Sequence, residues 1–313
     1  MLQTILAPQL IVLYVFAASA LYIHFRGRVR HTFTRQITDH STFIAPYNAL
    51  VYMFSAVPSK PYVDVDTFPD LQPLRDNWAV IRDEAMKLYD AGHIRAAEKN
   101  NDIAFNTFFK RGWKRFYLKW YGDTMPSAAD LCPRTVAMVN AIPSVNAALF
   151  ALLPPGSKLG EHRDPFAGSL RFHLGLSTPN SDKCSITVDG ETYSWRDGEA
   201  VMFDETFIHS AVNNSDTTRI ILFCDITRPL KTPVMRAINN FMIRHVVKAT
   251  AAQNDDSETV GVVNQFSASV YKLKNFFKAA KQANRTVYYA VKYLALGGAF
   301  YYLFLSGLNV FGS

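Results

Sequence analysis

Four side chains spread over the middle of the chain have the types and spacing of a metal centre with its cosubstrate anchor. They are His162, Asp164 two positions on, His209 after 47 residues from His162, and Arg219 ten residues beyond that. In an extended segment side chains alternate with a period of two, so His162 and Asp164 can present an imidazole and a carboxylate on one side. Alone, the pair is equally a polar turn within "HRDPFAGSLRFH", because His-x-Asp arises often by chance. With His209 the choice narrows. Two histidines and one carboxylate on one face of a metal leave three adjacent positions open, the facial triad of non-haem Fe(II) oxygenases. Such a centre needs a cation for an anionic cosubstrate, and the rigid, permanently charged fork of an arginine binds a carboxylate bidentately. Arg219, at the head of the apolar run "RIILFCDI", is placed for that role.

These residues need a scaffold, and from about position 147 the chain supplies short apolar runs separated by Gly, Pro, Asn, Asp and Ser. "NAALFALLPPGS" reads as a strand stopped by prolines. "SLRFHLGLST" sets Leu170, Phe172, Leu174 and Leu176 against Arg171, His173 and Gly175, and "CSITVDGETYSW" is a hairpin turning at Asp189-Gly190. "EAVMFD" and "RIILFCDI" complete the set. Strands at this spacing predict an all-β barrel or sandwich with helices packed outside. The helices come earlier: Leu74, Trp78, Ile81, Ala85 and Leu88 form an apolar stripe, and "PRTVAMVNAIP" a second helix with Pro133 in its first turn. Asp204 in "FDETFIH" is placed to pin the loop before His209. His24, His31, His40, His93 and His245 show no partner pattern and read as ordinary surface or interface residues, and Arg163 as solvent-facing or phosphate-facing.

The two ends differ from the middle. The 313-residue chain is 49% apolar and has a net charge of +7, yet residues 36–230 carry 19 basic against 23 acidic side chains. The first end, "LQTILAPQLIVLYVFAASALYIHF", has no charge before Arg26 and is long enough for a bilayer core. Its basic residues follow the apolar run, unlike those of a cleaved leader. The last end, "YLALGGAFYYLFLSGLNVF", is a second charge-free run, preceded by Lys278, Lys281, Arg285 and Lys292. Both spans then place the residues between them in the cytoplasm. Residues 41–59 also lack charge and are expected to lie in the interface or against the domain. The stripe Phe266, Val270, Leu273 and Phe277, flanked by lysines, suits a helix on an anionic membrane surface. Three scattered cysteines suggest neither a disulfide framework nor a zinc site.

The chain therefore divides into an N-terminal transmembrane anchor (1–25), a basic interfacial linker segment (26–60), the catalytic β domain (61–230), basic amphipathic helices with a polar loop (231–292) and a C-terminal transmembrane anchor (293–313). One further stretch, "FFKRGWKRFYLKWYG", interleaves Lys110, Arg111, Lys114 and Arg115 with aromatics. An acidic domain tethered to a membrane argues against nucleic acid, and these four cations are candidates for a phosphorylated head group; a strand pair with a solvated charged face is the alternative. No protein partner is expected.

The segments "LPPGSKLGEHRDPFAGSLRFHLGL", "YSWRDGEAVMFDETFIHSAVNNS" and "RIILFCDI" resemble the aspartyl/asparaginyl β-hydroxylase family of Fe(II)/2-oxoglutarate dioxygenases. The likeness extends to "YIHFRGRVRH", "ITDHSTFIAP", "VPSKPYVDV" and "FKRGWKRFYLKWYG", and within the family it is closest to the bacterial lipid A acyl-chain hydroxylases. The resemblance implies a mostly β fold with flanking helices, a double-stranded β-helix (jelly roll) between the two transmembrane helices. It implies Fe(II) on His162, Asp164 and His209, 2-oxoglutarate held by Arg219 with Arg171 and His173 beside it, and O2 as the second cosubstrate. The implied reaction hydroxylates C2 of a secondary acyl chain of lipid A, or of a lipopolysaccharide precursor, and yields succinate and CO2. Its place would be the bacterial inner membrane, facing the cytoplasm. Animal members of the family lack a carboxylate at the position of Asp164, and some relatives have a serine where this chain has Ala151. A membrane-anchored peptide hydroxylase and a non-catalytic glycolipid-binding β-barrel are the alternatives.

Overall fold

A computed structural model describes residues 7–96, 102, 105–255, 258 and 260–306, apart from the side chains of 267–272 and 274. Its strands are β1 (Tyr62–Val63), β2 (Lys114–Trp120), β3 (Asp123–Thr124), β4 (Val145–Leu153), β5 (Ser157–His162), β6 (Ser169–Ser177), β7 (Cys184–Val188), β8 (Glu191–Ser194), β9 (Ala200–Phe203), β10 (His209–Asn213) and β11 (Arg219–Thr227). They form a seven-stranded sheet, β1-β9-β6-β11-β4-β2-β3, and a four-stranded sheet, β5-β10-β7-β8. Every paired neighbour is antiparallel. From β4 to β11 the chain passes back and forth between β9-β6-β11-β4 and β5-β10-β7-β8. That order is a jelly roll, the expected double-stranded β-helix.

Local chemistry explains the elements. The β7–β8 turn places Asp189 at φ 50° and Gly190 at φ 87°, the two positive angles a tight hairpin turn requires. β6 and β11 are buried on both faces almost throughout. Their outer face meets the helix Trp78–Asp90, which packs on β6 and buries Ile81, Ala85 and Leu88. Their other face looks across the roll, so Arg171 and His173 sit inside it even though they alternate with leucines. The helix Pro133–Ala141 forms as the sequence predicts.

At the N-terminus the helix Pro8–Phe25 is mostly exposed, and among the described residues it alone is long and apolar enough to cross a membrane. The expected second span is therefore not shown: the helix Arg285–Phe300 starts earlier, includes Arg285 and Lys292, and continues as a wider coil through Leu305, while residues 307–313 lie outside the described set. Residues 41–59 fold as the helices His40–Phe43 and Ala45–Met53, whose Ala45, Asn48 and Val51 are buried. Of the lysine-flanked stripe, Ser267–Ala283 is helical, and the Val270 side chain lies outside the described residues.

Candidate active site

β5 ends at His162 and β10 begins at His209, and the two residues face each other in the register of that pair. The imidazole centroids are 4.2 Å apart. Each ring is oriented by its backbone: His162 Nδ1 donates to Gly160 O at 2.8 Å and His209 Nδ1 to Phe207 O at 3.0 Å. Both Nε2 atoms are thereby left with a lone pair, the arrangement metal-binding histidines use. Asp164 Oδ1 is 4.0 Å from His162 Nε2, and ligand atoms of His162, Asp164 and His209 lie within 4.8 Å of one another. Burial opposes the Asp164 carboxylate, but Arg171, at 2.9 Å, and then His209 and His162 hold it down to about 2. Burial and the neighbouring His162 lower His209 to about 3. An ionised oxygen and a neutral imidazole are what a divalent metal needs, so the donor set fits iron.

A cleft between the sheets joins this triad to Arg219, His173 and Trp195. Arg219 heads β11, is 2% exposed, and has no hydrogen-bond partner at Nε or Nη2. No carboxylate within ion-pair distance answers it among the described residues; its guanidinium lies 4.5 Å from the centre of the Trp195 ring. Burial lowers it to about 10, so it is still a cation at neutral pH. His173 is buried with neither ring nitrogen bonded, and burial followed by Arg219 pushes it well below the ordinary histidine range. Trp195 Nε1 is also unpartnered. Orphaned buried donors are rare, and those of Arg219, His173 and Trp195 all line this one cleft. A dicarboxylate would satisfy them.

Arg171 lines the same cleft but is already engaged. It pairs with Asp164, with Glu205, and with Asp225 at 2.7 Å, over the face of Phe223 at 3.8 Å. One guanidinium cannot balance three carboxylates. Burial pushes Glu205 and Asp225 up against the pull of Arg171, and Ser169 Oγ donates to Glu205 at 2.8 Å. Asp204 fastens the loop before His209, as expected: it accepts from Thr206 N and pairs with Arg26 and, at 2.9 Å, with Arg228. Ala151 lines the cleft without a hydroxyl.

Several expectations need correction. Arg115 is not a head-group cation: it is 2% exposed, paired with Asp102 at 3.0 Å and bonded to Gln253 O. β2 is covered on both faces, so Trp113, Phe116, Tyr117 and Trp120 are core; Lys110, Arg111 and Lys114 are exposed. Arg163 is buried and donates to Ile23 O at 3.3 Å, because the N-terminal segment folds back over it. His24 and His31 are buried too, and His40 Nε2 donates to Arg163 O at 2.6 Å. Glu205, Asp225 and Trp195 escaped sequence reasoning. The Trp-Arg-Asp-Gly turn after β8 was the available signal for Trp195; the two acids had none, since Arg171, the cation they share, is distant from both in the sequence.

The family described as Aspartyl/Asparaginyl beta-hydroxylase matches residues 75–229. An ornithine lipid ester-linked acyl 2-hydroxylase of Rhizobium tropici is 33% identical over 61% of this chain and 69% of its own length. The human aspartyl/asparaginyl beta-hydroxylase is 26% identical over 53% of this chain, which spans only 22% of that protein. A Pseudomonas putida prolyl-4-hydroxylase crystal structure aligns with 49% of this chain and 87% of its own at 18% identity, with a TM-score of 0.36.

Proposed function

The chain belongs to the aspartyl/asparaginyl β-hydroxylase family, and from that premise we propose that it is an Fe(II)/2-oxoglutarate-dependent dioxygenase acting on a fatty acyl chain of lipid A. The site of oxidation would be C2 of a secondary chain, with succinate and CO2 as coproducts. The observation that carries this reading is Arg219, a buried cation without a counter-ion at the end of the cleft that also holds the triad. His162, Asp164 and His209 would hold the metal, and Arg219 the distal carboxylate of 2-oxoglutarate, with His173 and Trp195 Nε1 available to its oxygens. Iron with 2-oxoglutarate supplies, when bound, the oxidising power to break an unactivated C–H bond. The protein's part is geometry: Gly160 O and Phe207 O fix the two rings, Arg171 keeps Asp164 ionised, and the apolar remainder of the cleft, including Phe108 at 4.8 Å from the His162 ring centre, excludes water and offers a wall for an alkyl chain.

Placement at the bacterial inner membrane, with the cleft towards the cytoplasm, is supported by the exposed apolar helix Pro8–Phe25 and the arginines that follow it. A second reading changes the lipid to ornithine lipid. It is favoured by the Rhizobium relative, named for acyl 2-hydroxylation of that lipid, and by the loss of Arg115 from the head-group set. Purified enzyme with Fe(II) and 2-oxoglutarate should add one oxygen to lipid A. Oxygen added to ornithine lipid instead would select the second reading; oxygen added only to an Asp- or Asn-containing peptide would refute both. Absence of iron- and substrate-dependent succinate would mean a binding protein without turnover.

A further inference from the structure

The helix Pro233–Met242 is amphipathic the wrong way round for a soluble domain. It turns Met235 and Asn239 inward; Asn239 donates to Gly168 O at 3.0 Å and accepts from Tyr47 Oη at 2.6 Å. Val234, Ile238 and Phe241, one stripe at helical spacing, are left 68%, 39% and 60% exposed. Ala45–Met53 does the same: Asn48 and Val51 are buried, whereas Met53 is 67% exposed and Phe43, just before it, 69%. The two segments are one structure. Val51, Ala167, Leu230 and Met235 cluster together, Lys231 N donates to Phe54 O at 2.8 Å, and Ala56 N to Pro229 O at 2.9 Å. Ala45–Met53 packs in turn on the spanning-length helix Pro8–Phe25.

We infer that this face is seated in the interfacial layer of an anionic bilayer, a platform beside the N-terminal helix that holds the triad end of the jelly roll at head-group level. Two observations choose the bilayer as occupant. The face is continuous with a helix whose own surface is apolar and exposed. Its charges also have one sign: residues 1–38 and 226–254 contain no Asp or Glu but hold, among others, Arg30, Arg236 and Arg244. A second copy docked on the same face would set like charges against each other, whereas anionic lipid answers both the apolar stripe and the cations around it. The inner side of the platform grips β5 and the loops beside Asp164 and His209. Arg35 donates to Glu161 O at 2.7 Å, Asn48 Nδ2 to Pro165 O at 2.7 Å, and Arg26 to Thr206 Oγ1 at 2.7 Å. The platform stands whether or not the proposed reaction is right.

The test places a single fluorescent label on the full chain in phosphatidylethanolamine/phosphatidylglycerol vesicles carrying a nitroxide near the top of the acyl chain. Phe43→Cys, Met53→Cys, Ile238→Cys and Phe241→Cys are all exposed positions, and the three native cysteines are buried. Asp216→Cys, exposed in the turn that ends β10 far from His209, is the control. The four platform labels should be quenched at least about fivefold more than the control, as apolar side chains below the head groups must be. Quenching equal to the control overturns the inference. So does label-to-label cross-linking between chains with the nitroxide shielded, which would mean a second copy covers the face.

Discussion

Replacing Arg219 with methionine should make the cosubstrate-free protein more stable while removing its response to 2-oxoglutarate. Burial lowers the guanidinium from 12.5 to about 10, which corresponds to a cost of about 3 kcal/mol for keeping the charge inside. The sign follows from linkage: the unfolded chain binds the proton more tightly, so the full cost is present below pH 10 and fades only as the pH rises towards 12.5. Against it stands the Trp195 ring under the cation at 4.5 Å, which returns about 2 kcal/mol at a desolvated site. The balance, about 1 kcal/mol, is what methionine recovers, and it corresponds to a rise of roughly 2–4 °C in melting midpoint for a domain of this size. With Zn(II) in place of iron, so that nothing turns over, 2-oxoglutarate at one hundred times its Kd should stabilise wild type by about 2.7 kcal/mol and Arg219→Met not at all. Tryptophan-fluorescence melting in detergent reads both effects. A midpoint that falls by several degrees, or a variant that still gains on adding 2-oxoglutarate, would show that Arg219 has a counter-ion of its own and that the cleft is not a dicarboxylate site.

His162→Ala and Asp164→Ala should each abolish the added oxygen in lipid A taken from cells while leaving the protein in the membrane fraction; hydroxylated lipid in either strain would remove the triad from the mechanism. Asp204→Ala strands Arg26 and Arg228 inside the protein and should cost about 3–5 kcal/mol in urea unfolding. Because those cations hold the Asp204 carboxyl well below the usual range despite its burial, its contribution is full above about pH 4 and is lost as the pH falls further; the variant's acid limb should be flatter than wild type's. Arg115→Ala should likewise lower stability by about 3–5 kcal/mol by leaving Asp102 unpaired, with little change in the salt dependence of lipid binding. Arg111→Ala and Lys114→Ala should do the reverse, leaving the melting midpoint within a degree or two and weakening binding to lipid A most at low salt.

The contrast between Lys114 and Arg115 shows which parts of this molecule its sequence discloses. The candidate triad and Arg219 were legible because the chemistry demands several residue types at once, and Arg219 stands at the head of the apolar run that became β11. β5 and β10 carry the two histidines of the candidate site yet were not legible as strands. Polar residues interrupt both, and they are held by pairing with each other and with β7 rather than by a pattern of their own. Arg115 and Arg163 looked like surface charge for a related reason. Each is buried by a partner that local spacing does not register: Asp102 lies 13 residues back, and Ile23 is 140 residues away at the end of the N-terminal helix. Arg171 falls between the two cases. The family resemblance set it beside the cosubstrate, but its three carboxylates come from a neighbouring loop, the loop before β10, and β11. A cation so fully engaged differs in kind from Arg219, whose charge is unanswered; of the two, Arg219 is the one whose charge only a ligand can neutralise.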